Sequence, residues 1–341
     1  MKLIKSKLYL YIAGGCLLLI IFLFYYYFFS AFSIKSDISY VYIDNDDTAD
    51  SVYTKLGAIG SNHTIAGFKT LARHTGYEEN IRTGRYVINP GEGVMKVFRR
   101  IKNGQQTSVS LTIPEARTME KLAGALSKRL MIDSTTIIKT LTDSTTCAAY
   151  GYDTASIVAM FVPNTYDIYW NTSIDKFMER MEKEHAKFWN KERTEKAKAM
   201  NMTPVQVATL ASIIDEETAN TAEKPMVAGM YYNRLKTDMP LQADPTIKFA
   251  LKNFGLRRIY NKLLRVDSPY NTYKNTGLPP GPIKVASIAG IDAVLNHAEH
   301  DYIYMCAKED FSGTHNFAIT YEEHLRNAAK YSKALNERGI K

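Results

Sequence analysis

Residues 8–29 are an unbroken run of 22 uncharged residues rich in Leu, Ile, Phe and Tyr. At ~1.5 Å per residue, a helix of that length crosses the ~30 Å hydrocarbon core of a bilayer. The run therefore reads as a single transmembrane helix. Lys2, Lys5 and Lys7 precede it, and beyond it Lys35 is followed by Asp37, Asp44, Asp46, Asp47 and Asp50. The positive-inside bias places the short N-terminus in the cytoplasm and residues 36–341 on the outer face of the cytoplasmic membrane. Tyr25, Tyr26 and Tyr27 suit an interfacial aromatic belt. A cleaved signal peptide is the alternative, with Ala31-Phe32-Ser33 as its small-residue site, but such apolar regions usually run only ~7–15 residues. Cys16 after Ala13-Gly14-Gly15 resembles a lipoprotein site, yet the apolar run continues for 13 residues beyond it.

The 341 residues carry 43 Lys and Arg against 35 Asp and Glu, a net charge of +8. Four of those charges are the lysines around the span, so the rest of the chain is only mildly basic. A nucleic-acid partner needs cations gathered on one face, and the sequence offers only short pairs such as Arg99-Arg100 and Arg257-Arg258. No nucleic-acid partner is expected on that basis, and 45% apolar residues exclude disorder. Cys147 and Cys306 have neither C-x-x-C spacing nor a disulfide framework around them, and one bridge between them stays open.

Beyond the span, Ile38–Ile43 alternates as a strand and residues 48–56 and 64–74 are helical in pattern. Residues 85–88 read as a strand closed by Asn89-Pro90-Gly91, residues 94–102 as a helix stopped by Asn103-Gly104, and residues 109–113 as another strand. Gly91-Glu92-Gly93 lacks the third glycine of a phosphate loop and reads as a turn. Residues 118–130 and 132–141 are helical in pattern, and Phe161–Tyr166 is an aromatic loop or strand end. Residues 176–200 alternate in charge, with Phe177, Met181 and Phe188 spaced as one buried stripe.

Several chemistries fail on spacing. His297-Ala298-Glu299-His300 is not the zinc-protease pattern, Ser173-Ile174-Asp175-Lys176 has no K-T-G partner, and no Walker loop is present. No metal and no cofactor is expected. What remains is the helix opening at Thr203-Pro204, whose Val207, Leu210, Ala211 and Ile214 form an apolar stripe and which ends in Asp215-Glu216-Glu217. At ~100° per residue Glu216 lies opposite the stripe, Asp215 adjoins its Ala211 edge, and Glu217 falls beside Leu210, Ile213 and Ile214. Desolvation there raises a carboxyl pKa, the condition for a general acid near neutral pH. The plainer alternative is three acids ending a helix at the surface.

Within the next 70 residues come Asn233-Arg234-Leu235, Leu241-Gln242-Ala243-Asp244-Pro245-Thr246, Ser268-Pro269-Tyr270-Asn271-Thr272-Tyr273 and Gly277–Ile283. Amides, hydroxyls and tyrosine faces suit a sugar cleft, although the same segments could be loops without a ligand. Together with Leu210-Ala211-Ser212-Ile213-Ile214-x-x-Glu217-Thr218, these blocks resemble, in order, the endolytic murein transglycosylases, the YceG-like or MltG family. Looser similarity runs through Thr112-Ile113-Pro114-Glu115, Phe161–Tyr166, His315-x-Phe317 and His324.

The resemblance implies an α+β architecture: a tail and transmembrane helix (1–36), a small LysM-like mixed unit (37–110) and a larger YceG-like catalytic domain (111–341). It implies a lytic transglycosylase that cleaves the β-1,4 bond from N-acetylmuramic acid to N-acetylglucosamine in nascent peptidoglycan and leaves 1,6-anhydromuramoyl ends. Glu217 would be the catalytic acid and then base. Gln242, Asp244, Thr246, Asn271 and Tyr273 would line or support the substrate cleft, and penicillin-binding synthases would be neighbours. Two departures stand out: Glu216, where relatives more often have a basic residue, and Lys284-Val285-Ala286, where an Asn-Pro-Gly turn is commoner. A non-catalytic glycan-binding scaffold and a hydrolytic muramidase are the alternatives. On this reading Glu217→Gln abolishes activity, whereas Asp215→Asn and Glu216→Gln retain much of it.

Overall fold

The computed structural model describes residues 2–256 and 258–339; the side chains of residues 2–6, and Arg257 of the Arg257-Arg258 pair, lie outside the description. The architecture is mixed α+β, in two compact units.

The first unit runs up to Leu111, with residues 129–131 and 167–172 added. It begins with α1 (Lys2–Phe28), whose Lys7–Phe28 stretch is apolar enough to span a membrane and has none of its residues buried by protein. Then follow β1 (Ser39–Ile43), α2 (Ala49–Gly57), α3 (Asn62–His74), β2 (Gly84–Ile88) and α4 (Val94–Lys102). β1 and β2 pair antiparallel, from Ser39 opposite Ile88 to Ile43 opposite Gly84. Their alternating inward residues Val41, Ile43, Tyr86 and Ile88 meet Val94, Val97, Phe98 and Ile101 of α4, as period-2 strands facing a period-3.6 helix must. Phe68 on α3 sits edge-on to Phe32, Tyr53, Tyr77 and Phe98.

The chain enters this core directly from α1. Phe32 is 0% exposed, its N–H donates to Glu92 O at 2.7 Å, and Val94 N–H donates to Ser30 O at 3.3 Å. The Gly91-Glu92-Gly93 segment is the turn its sequence indicates: Gly91 has φ +75°, and Glu92 faces protein. Its carboxylate receives both terminal nitrogens of Arg100, at 2.5 and 2.7 Å, which hold its pKa well below the usual carboxylate range.

Next along the chain come β3 (Val109–Thr112), α5 (Met119–Ser127), α6 (Ser134–Thr142), α7 (Ser144–Ala149) and β4 (Thr165–Ile168). The remainder of the second unit contains α8 (Ile174–Phe188), α9 (Lys191–Ala199), α10 (Pro204–Glu217), α11 (Lys224–Lys236), α12 (Asp244–Ala250), α13 (Ile288–Leu295), β5 (Tyr304–Ala307), β6 (His315–Ala318) and α14 (Tyr321–Glu337). The charged stretch 176–200 is two helices rather than one. Asn190 caps α9 by accepting from Arg193 N–H at 3.0 Å, and this local bond competes with continued helix. Cys147, whose thiol faces Leu141 O at 3.5 Å, and Cys306 are both free, so no bridge joins them.

α10 is the spine of the second unit. Thr203 and Gln206 form a reciprocal capping box with Pro204 in the first turn. Every residue from Val207 to Ile214 is buried, enclosed by α11, α12 and α13. A helix buried all round cannot show a one-sided stripe for its full length, which is why its polar Ser212 is spent internally. The Ser212 hydroxyl donates to Thr209 O at 2.7 Å and accepts from Ile283 N–H at 3.0 Å, fixing the proline-rich loop against the helix.

Candidate active site

Three acids end α10, and each meets a different environment. Asp215 points inward, with its side chain 1% exposed. Its carboxylate takes Lys224 Nζ, the Ser287 N–H at 2.7 Å and the Ser287 hydroxyl at 2.7 Å. Ser287 is the N-cap of α13, where a carboxylate also gains from the helix dipole. The approach is close enough that a Cβ on Gly290 would fall 2.6 Å from Asp215 Oδ1, so only glycine fits. Asp215 thus clamps α10, α11 and α13 together. The expectation that Asp215→Asn leaves activity largely intact is revised accordingly, because the change would strand a buried Lys224.

Glu216 faces away from the stripe, as the helical spacing requires, and makes a two-pronged pair with Arg117 at 2.9 and 2.8 Å. Lys284 lies 3.6 Å from the same carboxylate and 2.9 Å from Glu115. The two departures from the family pattern, Glu216 and Lys284, therefore meet in space: the additional acid is matched by the additional cation.

Glu217 has no cation partner among the described residues. Its one hydrogen bond there comes from the Tyr231 hydroxyl, 2.8 Å from Oε1, and Oε2 is left unbonded. Burial raises its pKa, the phenol hydrogen bond and Lys248 partly oppose that, and the negative charges of Asp244 and Glu216 add to it; the result is about 7. The carboxyl keeps a window onto a cavity of about 330 Å³ while dense protein surrounds it on the other sides. Tyr231 itself is 2% exposed, and its own pKa is raised well above the ordinary value by burial and by the neighbouring carboxylate.

Gln242, Asp244 and Tyr273 line the cavity with Glu217. Leu241 and Ala243 are buried while Gln242 and Asp244 are exposed. Gln242 holds φ +54°, a strained value for a side-chain-bearing residue, with its N–H bonded to Thr272 O at 3.0 Å. The Tyr273 hydroxyl donates to Asp244 at 2.6 Å.

Two expected cleft residues do not reach the cavity. Thr246 and Asn271 are both 0% exposed. Thr246 bonds Ala243 O at 2.7 Å and the Thr272 hydroxyl at 2.9 Å. The Asn271 amide donates to Leu264 O at 2.9 Å and Val266 O at 2.8 Å, and its oxygen receives Tyr273 N–H at 3.0 Å. Both residues hold the Tyr273 loop from behind, because a buried polar group must find protein partners. Asn233 and Arg234 are clamps as well. Asn233 donates to His300 O and Tyr302 O, while Arg234 donates to Ile303 O at 2.6 Å and to Pro240 O and Leu241 O at 3.0 and 2.9 Å.

The cavity's far wall comes from the C-terminal hairpin and helix. His315 is held by Glu223, through its N–H at 2.6 Å and its ring Nδ1 at 3.0 Å. The Thr218 hydroxyl, next to Glu217, bonds the same Glu223 at 2.9 Å. Tyr304 stacks on His324, with ring centroids 5.3 Å apart. Tyr231, Tyr304 and Tyr321 were not singled out in the sequence; no short motif marks them, since they reach the cavity from α11, β5 and α14. Among the described residues no cluster of His, Cys, Asp and Glu could hold a metal ion.

The profile of the YceG-like family matches residues 41–330. A curated endolytic murein transglycosylase of Bacillus subtilis is 29% identical over 309 residues, covering 85% of each chain. A protein of the same description from Streptococcus pneumoniae strain D39 is 26% identical over 298 residues, 77% of this chain and 53% of that longer one. A crystal structure of a yceG-like protein from Listeria monocytogenes superposes with TM-score 0.55 at 27% identity, covering 86% of this chain and 99% of that one.

Proposed function

The chain belongs to the YceG-like family, and from that premise we propose that it is a membrane-anchored lytic transglycosylase acting inside peptidoglycan glycan strands. The observation that carries the reading is Glu217: a carboxyl in a cavity, without a cation partner among the described residues, whose pKa of about 7 leaves a large protonated fraction at neutral pH. The relatives named endolytic murein transglycosylases supply the substrate class.

The Tyr231 bond on Oε1 puts the acidic proton on Oε2. That oxygen donates to the glycosidic oxygen as the bond from N-acetylmuramic acid to N-acetylglucosamine breaks through an oxocarbenium-like state. The resulting Glu217 carboxylate takes the proton from the muramoyl 6-hydroxyl as that oxygen bonds to the anomeric carbon. No water is consumed, and Glu217 returns to its acid form. Gln242, Asp244 and Tyr273 contact the sugar, whereas Thr246 and Asn271 act through the Tyr273 loop.

α1 is the anchor, with the N-terminus inside and the chain beyond the span outside. Phe32 supports retention of the span, because cleavage at Ala31-Phe32-Ser33 would cut through a buried residue of the first unit. The order β1-α2-α3-β2, with its antiparallel pair, supports the LysM-like reading of that unit. An anchored cutter of nascent strands works beside penicillin-binding synthases.

Digestion of purified glycan followed by mass analysis of the ends tests the reading. Anhydro ends one water lighter than hydrolysed ends are expected from the wild type and none from Glu217→Gln. Hydrolysed ends would establish a muramidase, and no new ends a scaffold.

A further inference from the structure

A second cavity, of about 260 Å³, lies in the same unit and takes no part in the chemistry above. Its walls are largely apolar, with Leu122, Val158, Phe249, Phe254 and Ile283 among them. Of its charged lining, Arg117 and Lys284 are paired with Glu216 and Glu115, which leaves Lys252 and Glu120. Glu120 is turned back onto its own helix start, where its backbone N–H and Thr118 hold its pKa low. Lys121 adds a further cation, 5.9 Å from the Phe254 ring. Among the described residues Lys252 and Lys121 form no ion pair.

The two cavities share their framework. α12 carries Asp244 at the Glu217 cavity and Phe249 at this one, a separation of about 8 Å along the helix. Glu216, the neighbour of Glu217, is bound by Arg117 and lies 3.6 Å from Lys284, both of which line the second cavity. Arg117, through its pair with Glu216, thus brings the wall of the second cavity within one residue of Glu217 along α10. A muramoyl residue bears a peptide, amide-linked to its lactyl carboxyl, in which alanines are interspersed with carboxylate-bearing residues and which advances ~3.3 Å per extended residue.

We infer that the cavity between Arg117, Lys252 and Phe254 receives the stem peptide of a muramoyl residue bound in the Glu217 cavity, its alanine methyls against the apolar wall and its carboxylates toward Lys252 and Lys121. This deepens the transglycosylase reading and rests on it. Lys252 and Lys121, without ion pairs among the described residues, and the apolar wall together fit a carboxylate-bearing peptide better than a bare sugar, whose ring edges need paired donors and acceptors.

Full-length protein in detergent is given two substrates: glycan strands with intact stems, and the same strands stripped by an amidase. Lys252→Asn removes the cation at a position with φ +50°, a conformation Asn tolerates. Val158→Phe fills part of the half-buried wall. Each variant is expected to lower kcat/KM about 10-fold on stemmed strands, chiefly through KM, and to leave stripped strands unchanged; a factor of ten is about 1.4 kcal/mol. Equal loss on both substrates, or no loss on either, overturns the inference. Binding of the N-acetylated stem tetrapeptide (L-Ala, D-Glu, L-Lys, D-Ala) to Glu217→Gln protein, weakened by adding Lys252→Asn, reads the cavity without catalysis. Absence of binding also overturns the inference, whereas peptide binding by a wild type that makes no anhydro ends would sink the transglycosylase reading alone.

Discussion

The last turn of α10 carries two carboxyls only two residues apart, yet they do opposite work. Asp215, its side chain 1% exposed, is met by an ammonium, a hydroxyl and a backbone N–H. Glu217 opens on a cavity and is met by one phenol. Partners, more than depth, decide what a buried acid does. A carboxylate supplied with a cation and donors becomes a clamp, and one left with a single neutral donor holds its proton.

The sharpest break of this contrast is Glu217→Gln, which keeps the shape and removes the proton. Formation of anhydro ends should fall by about 10³-fold or more, within the range that general acid–base groups supply, while the melting temperature stays close to that of the wild type. Asp215→Asn should do the reverse and act through stability. Stranding Lys224 costs about 3–5 kcal/mol, which thermal unfolding would register as a large drop; unchanged unfolding would remove Asp215 from its clamp role.

The pH profile sharpens the comparison further. With an effective pKa of about 7, the acid form of Glu217 is depleted at higher pH, so kcat/KM should be level below about 6 and fall roughly tenfold per unit well above 7. Stability follows the same sign. The folded pKa is raised above the unfolded one, so the folded state binds the proton more tightly, and this contribution is lost as pH rises from about 4.5 through 7. Tyr231→Phe removes a bond that favours the charged form and should move the falling limb to higher pH. The smallest effect is expected from Glu216→Gln, a partly exposed pair worth about 1 kcal/mol, with activity near wild type on stripped strands.

Much of the local structure was legible from periodicity and caps. The helix Val94–Lys102 falls on the residues its pattern indicates, and Thr203 with Pro204 opens α10 as such a pair does elsewhere. The ~100° spacing also separated Glu217 from Asp215 and Glu216, since a helix projects its side chains in a fixed order. The break at Trp189-Asn190 was masked by charges that suit either helix. Thr246 and Asn271 showed the residue types of a sugar cleft, and nothing local told that both would turn inward to hold backbone carbonyls.

The sequence by itself determined the apolar span, the run of helices and the one carboxyl pressed against an apolar stripe, because each is a property of neighbours within a few turns of the chain. Tertiary structure alone decided which acid became a clamp, which phenol touched Glu217, and how Lys284 came to match Glu216. Those partners lie 9 to 72 positions away in sequence, and only the packing of α10 against α11, α13 and the proline-rich loop brings them within bonding distance.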